Sequence, residues 1–351
     1  MKRAPRIAAF CAALVAGLAV AFAAAPAARA QDPGRPPPKF DEAAVKKAVG
    51  QLRRGKDVDK NVALLRAAVD QVGDPGAFAR DVGVLLLGEK LFEAAQGFLE
   101  IARARRPQDG IVAQQLGNAH VAQYHYAEAQ EQLLAAEKLL PPGPHPYVHE
   151  YLSMVLIGLQ KADESEARAK RAIAEAQAFN AAQPPGAATL DLVEFELNLA
   201  NVHQRFLRPD DALRVLDGID LESLDKTGRA KAWLARAQIL DSKGDESAAL
   251  AAFEKQREVA PDDVNGAYEF ALFHVRRHAP AAARPLLEQA VNLDPDHEGA
   301  HYNLARVLLR LGEKEAGAEL MTRYEKIHAA RIAAEIKLAE MRHHLLERLG
   351  R

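Results

Sequence analysis

Cysteine is nearly absent: the 351 residues hold one, Cys11. An internal disulfide framework, a thiolate metal cage and a thiol nucleophile beyond residue 11 are therefore excluded. Tryptophan also occurs once, at Trp233, and aromatics make up 6% of the chain. No alternating apolar–polar run of strand length occurs, so the chain reads as all helical. There is no Gly-rich phosphate loop, no His-Glu-x-x-His, no Gly-x-Ser-x-Gly and no CxxCH sequence. The acidic pairs Asp163-Glu164 and Asp262-Asp263 sit where helices are expected to start, and the helix dipole explains them there. The reading is non-enzymatic, with no cofactor. Excess positive charge is missing too: 46 basic side chains face 48 acidic ones. That argues against a nucleic-acid partner held by bulk charge.

The one long hydrophobic run lies in the first 30 residues. Lys2, Arg3 and Arg6 precede an apolar stretch from Ile7 to Ala25, and Ala28-Arg29-Ala30 closes it. This pattern predicts a signal peptide over 1–30, cleaved before Gln31, and an exported protein that is periplasmic or secreted. No transmembrane span would then remain. The alternative is an uncleaved anchor, although the core is mostly Ala and weakly hydrophobic. Lipidation at Cys11 is rejected, because Phe10 precedes the Cys and the Cys opens the apolar core. Taking the four basic residues of this segment from 46 leaves 42 against 48 acidic, a formal charge of −6. Residues 31–40 include Gln31-Asp-Pro-Gly-Arg-Pro-Pro-Pro-Lys39, which predicts an extended tether.

What the chain does have is a repeat of about 34 residues. Blocks opening at Gly76, Asp109, Ala230 and Val264 each show a small residue pair, a turn, an Ala, a bulky residue, a second Ala and a Pro. In one block these are Val82-Gly83, Ala95, Leu99, Ala102 and Pro107. In another they are Phe270-Ala271, Ala283, Leu287, Ala290 and Pro295. Small residues let two helices approach while the bulky one fills the space between them. The Pro follows a helix that it cannot continue. Gly88, Gly244 and Gly312 are expected to take the left-handed turn within a pair.

The pattern resembles the tetratricopeptide repeat, a helix-turn-helix unit. Trp233, Ala237, Leu240, Gly244, Ala249, Phe253 and Pro261 follow its framework in one repeat. Leu116-Gly117, His120, Tyr126, Ala129, Leu133, Ala136 and Pro141 follow it in another. Repeats start near 41, 76, 110, 146, 193, 230, 264 and 298. The first is degenerate, with Ala48, Gly55, Leu64 and Ala67 near the expected places, and in the last Gly317 replaces Ala. The resemblance implies an all-α, right-handed α-solenoid of about eight such repeats over 41–325, followed by a C-terminal helical extension over 326–351. Repeats near 146 and 193 lie about 47 residues apart. A longer second helix from Glu164 to Asn180 and the Pro184-Pro185-Gly186 loop account for this. That insertion is either a tolerated surface loop or a kink dividing the array into two lobes.

The resemblance also implies a protein or peptide partner in a concave groove. In that family the second, fifth, ninth, twelfth and thirteenth positions of each first helix line the groove. They fall on Ile111, Gln114, Asn118, Val121 and Ala122 in one repeat, and on Glu194, Leu197, Asn201, Gln204 and Arg205 in another. They fall on Asn265, Tyr268, Leu272, Val275 and Arg276 in a third, and on Tyr302, Arg306, Leu309 and Arg310 in the last. Asn118 and Asn201 could hold a peptide backbone, and Arg276, Arg306 and Arg310 would suit carboxylates. The family's clamp for acidic C-terminal tails is absent from any three consecutive repeats.

Two features are left over. His145/His149, His274/His278 and His297/His301 are spaced four apart, as metal ligands on a helix can be. However, His120, His203 and His274 share one repeat slot, where an aromatic-sized residue is a packing choice. From Glu313 onward one long helix is expected, with Leu320, Tyr324, Ile327, Ala334, Leu338, Met341 and Leu345 as an apolar stripe. Its first half would cap the array. Its second half would be free to pair with another copy, so a structural homo-oligomer is the alternative function.

Overall fold

The computed structural model describes residues 42–54, 56–184 and 186–348. The expected signal peptide, the Pro-rich tether, Cys11 and Gly55 lie outside them. Among the described residues the chain is all helical, with sixteen helices that pack as consecutive antiparallel pairs. The pairs are α1 Glu42–Arg53 with α2 Val58–Gln71, α3 Pro75–Gly88 with α4 Phe92–Arg105, and α5 Gly110–Ala122 with α6 Tyr126–Leu139. Next come α7 Pro146–Gly158 with α8 Ala162–Ala181, α9 Leu192–Arg205 with α10 Pro209–Asp217, and α11 Lys226–Lys243 with α12 Glu246–Val259. The last are α13 Val264–Arg276 with α14 Pro280–Leu293, and α15 Glu298–Arg310 with α16 Lys314–Arg348. The first helix of each pair is called A and the second B. No described helix is long and apolar enough to cross a membrane.

Each pair is held by a small residue on one helix against a bulky one on the other. A methyl group added at Gly83 would come within 2.7 Å of Leu99 Cγ, and one at Gly117 within 2.6 Å of Leu133 Cγ. Ala95, Ala102, Ala129 and Ala136 flank those leucines and are fully buried. In α12 the bulky place belongs to Phe253, whose ring stacks on Phe270 at 5.0 Å. The first pair uses the same logic one residue later than the sequence suggests. Asn61, Leu65 and Ala68 are buried, while Ala67 is exposed. Asn61 occupies the first Ala place and donates to the Lys56 carbonyl at 2.9 Å, tying the turn to the helix.

The turn within a pair is nearly the same each time. The A helix closes with an amide bonding five residues back, as in Leu91 to Leu86, His125 to His120 and Arg208 to His203. This is a Schellman closure, which needs one left-handed residue. Gly244 and Gly312 fill that role. Gly88 does not: it ends α3, and the positive φ falls on Lys90. Tyr124, Gln160, Leu207 and His278 hold the same conformation in their own turns. Repeated tertiary contact overrides the local penalty for a side chain there.

The chain forms two compact units. One comprises residues 1–194 with 331–351, and the other residues 195–330. In the second unit, α16 packs Leu320 against the core around Leu304, Val307 and Leu308. Its Tyr324 ring lies 5.4 Å from Tyr302, and His328 Nδ1 lies 3.2 Å from Glu298. From Arg331 on, the same helix belongs to the first unit. There Ala334, Leu338 and Met341 are fully buried in one core with Val49, Leu65, Phe98 and Leu99. Glu335 accepts a bond from the Ala94 amide in the first turn of α4. Contrary to the expectation above, the second half of the stripe is not free for another copy: Ala334, Leu338 and Met341 are covered by their own chain. The side chain of Leu345 lies outside the described part.

Two measurements check this account. Leu338→Ala should lower the stability of the first unit by about 3 kcal/mol in urea denaturation, through the cavity it leaves. Leu207→Gly should raise stability by about 0.5–1 kcal/mol, because Leu207 is 89% exposed and strained at φ 58°.

Candidate binding surface

The A helices carry a recurring polar row. Counting from the groove register, the sixth A position is buried and polar in Gln115, Tyr151, Asn198 and Glu269. It joins the A helix of the preceding pair. Asn118 Nδ2 donates to the Tyr151 hydroxyl at 3.2 Å, and Asn303 Nδ2 donates to the Tyr268 hydroxyl at 3.0 Å. Gln238 donates to Glu269 in the same way. These three bonds pair the groups they join, while Gln115 Oε1 and one carboxyl oxygen of Glu269 stay buried with no hydrogen bond among the described residues.

The row divides the expected groove residues. In the first unit, Gln114 and Asn118 are half-buried, and Asn118 is bound into the row. Val121, expected to line the groove, is buried in the core instead. In the second unit, Tyr268 is half-buried and held by Asn303, with His297 4.7 Å from its ring. Arg276 is exposed but paired to Asp241 at 2.6 Å, as is Arg277 at 2.8 Å. Leu197 is buried. Gln204 is engaged with the Gln238 carbonyl and Ser242.

A second group is left uncommitted. Asn201 stands where the row would continue, but the next A helix has Ala235 at its sixth position. The Asn201 amide accordingly makes no hydrogen bond among the described residues. Arg205 and Arg310 are exposed and have no carboxylate partner among them. Arg306 lies 5.3 Å over the ring of Tyr302, which is 38% exposed beside the exposed Leu309. The second unit thus presents guanidinium groups and part of an aromatic ring from A-helix positions, with the Asn201 amide buried among them at 9% exposure. This set suits polar main chain and carboxylates.

The histidine pairs are occupied by other work. His149 is buried, with Arg168 2.9 Å from Nδ1 and Glu175 3.1 Å from Nε2. His145 Nε2 lies 2.6 Å from the Pro141 carbonyl. His297 accepts from the Ala300 amide as a helix cap, and His301 contacts the Pro295 carbonyl. His274 packs on Phe270 and Phe273. Among the described residues no group of three His, Cys, Asp or Glu is arranged to hold a metal.

Glu150 was not singled out by the sequence analysis. The groove register carried into α7 selects Tyr147 and Glu150 at the second and fifth positions. Glu150 is 5% exposed. Burial, with Glu194 adding like charge, pushes its carboxyl up to about 8 from an ordinary 4.5. Tyr147 is pushed up by burial and then by Glu150, Glu194 and Asp191. Burial and Glu150 likewise push up Tyr151.

Residues 274–337 match the family model for the Tetratricopeptide repeat. No curated protein matches the sequence. Among solved structures, yeast Tom70 is 17% identical with a TM-score of 0.58, over 87% of this chain and 66% of that one. A tetratricopeptide repeat protein from Parabacteroides merdae is 15% identical with a TM-score of 0.52, over 81% and 98%. A chain of the APC/C hetero-tetramer Cut9-Hcn1 is 15% identical with a TM-score of 0.47, and this chain spans 48% of it. Likeness to the first two, at these identities, establishes the fold.

The Glu150 carboxyl predicts a pH dependence. The folded state holds a proton that the unfolded chain releases near 4.5, so stability falls as pH rises from there through about 8. Glu150→Gln should match the natural chain at pH 4 and exceed it at pH 9 by several kcal/mol. The size follows because each pH step between the unfolded and folded titration points is worth about 1.4 kcal/mol. Equal urea midpoints for the two proteins at pH 9 would contradict this assignment.

Proposed function

We propose that this chain, a helical repeat protein carrying tetratricopeptide repeats, is a non-catalytic scaffold that binds a protein or peptide partner along its A helices. The observation that carries the reading is a set of exposed guanidinium groups on the second unit, Arg205, Arg306 and Arg310, with no carboxylate partner among the described residues, joined by the partly exposed ring of Tyr302 under Arg306 and the unbonded amide of the buried Asn201. Repeat packing and the polar row account for their neighbours but not for the three arginines. Such exposed Arg and Tyr groups are the residue types that dominate protein interfaces. The family model that matches is a repeat and not an enzyme family. We further propose that the protein works in the bacterial cell envelope, assembling or tethering a complex there. This rests on the basic, apolar and small-residue order of its first 30 residues.

A second reading, a homo-oligomer, is favoured by one observation. Ile332 and Ile336 are exposed, the latter 57%, on the side of α16 opposite Leu338. Two copies could meet there without disturbing the first unit.

The test is capture from envelope extract by the tagged protein, beside a variant with Asn201, Arg205, Arg306 and Arg310 changed to Ala. The expected outcome is a protein that the natural chain retains and the variant loses, with both giving the same thermal midpoint. Equal capture by both would overturn the A-helix surface. Capture of nothing but the protein itself, with a dimer mass abolished by Ile336→Asp, would favour the oligomer.

A further inference from the structure

In the first unit, α7 and the start of α9 bring together three carboxyl groups and two phenols. Glu150 lies on α7 between Tyr147 and Tyr151, and Glu194 acts on it directly. Asp191, whose side chain accepts from the Val193 amide, and Glu194 both act on Tyr147. Asn118 donates to the Tyr151 hydroxyl and so fixes that ring. The carboxyl groups of Glu150, Glu194 and Asp191 are the charges that push these groups up.

Glu150 is the informative member. It is more than nine-tenths buried, and among the described residues only burial and Glu194 act on its carboxyl, with no hydrogen bond to it; Ser153 bonds to its main-chain carbonyl instead. Buried carboxyl groups are ordinarily paired, because an unpaired one costs the fold its desolvation. Even half-buried carboxyl groups of the same unit are paired. Glu137 accepts from Arg168 at 2.8 Å, and Glu175 is held by Arg171 and by the His145 amide. Glu150 also stands at an A-helix position that lines the groove in such repeats, so its missing partner can come from outside the chain.

We propose that Glu150, with Glu194, Tyr147 and Tyr151, forms a subsite that takes a cationic side chain, arginine or lysine, from the bound partner protein. The inference rests on the scaffold reading and names the partner's chemistry at one place. Before binding, the Glu150 carboxyl keeps its proton. An arriving guanidinium or ammonium group favours the carboxylate, so the proton passes to solvent and an ion pair forms. The half-buried Tyr147 supplies aromatic carbon on which a guanidinium can stack, and the buried Tyr151 backs the site. The uncommitted guanidinium groups of the second unit call for the opposite charge, so this subsite is chemically distinct from them.

The probe is N-acetyl-arginine amide, with the citrulline analogue as its uncharged match. Binding is followed by NMR of ring-labelled tyrosine in the whole chain. Arginine is expected to shift the Tyr147 and Tyr151 resonances, and citrulline to leave them in place. Affinity should rise between pH 6 and pH 9 as the proton becomes easier to release. Glu150→Gln should weaken arginine binding by about tenfold or more. Glu194→Gln, a substitution at a half-buried position, should weaken it less and serves if the first variant folds poorly. Equal responses to arginine and citrulline, no arginine response at any pH, or unchanged affinity in both variants would each overturn the subsite. A captured partner without an arginine response sinks this inference alone. An arginine response without any captured partner sinks the scaffold reading alone.

Discussion

The structure depends on one contact made again and again: a residue with little or no side chain on an A helix, met by a Leu or Phe from its B helix. Gly83 against Leu99 and Gly117 against Leu133 leave no room for one more methyl group. Because each contact is short, the two helices lie close and bury the faces they share. Because each pair is complete in this direction, it can grow only by adding the next pair. The A helices are thus brought side by side, and one stripe of each remains outside the pair. Every candidate binding residue of this chain lies on such a stripe.

That stripe has two demands on it. Adjacent A helices must satisfy their buried polar groups, and a partner needs polar groups that are not satisfied. The polar row resolves this locally. Where the sixth position holds Tyr151 or Glu269, the ninth position of the preceding helix is engaged. Where Ala235 interrupts the row, Asn201 is released. A single small residue therefore changes the role of an amide one pair away. This is why Asn118 and Asn201, equivalent in the repeat, are not equivalent in the protein.

The pairing was legible in the sequence because it rests on residue size at a fixed spacing, and size is written in the residue name. Ala95, Leu99 and Ala102 need no partner to be recognised. The first pair was misplaced by one residue because Asn61 replaces a small residue and works through a hydrogen bond. Left-handed turns at Lys90, Tyr124 and Leu207 were invisible, since no local preference marks them and only tertiary contact holds them. The covering of Leu338 and Met341 was equally hidden. An apolar stripe states that something must cover it, but not what. Of the groove residues, chemistry was legible and availability was not, because availability depends on a neighbour about 33 residues away, as for Asn118 and Tyr151.

Glu150 shows what such a dependence implies for function. A fold built from small-to-large contacts has no need of a buried acid, and its Gln isostere would meet the packing as well. The carboxyl lowers stability at neutral pH by holding a proton that the unfolded chain would give up. Natural chains retain such a burden where the strained group acts in a process other than folding. The free energy stored in desolvating Glu150 becomes available when a cation replaces the proton. It then adds selectivity for charge over shape, because an uncharged side chain of the same outline recovers none of it. The repeat scaffold supplies the rigidity this requires, since Tyr151 is pinned by Asn118, and α5, which carries Asn118, is held by the Gly117 and Leu133 contact of its own pair.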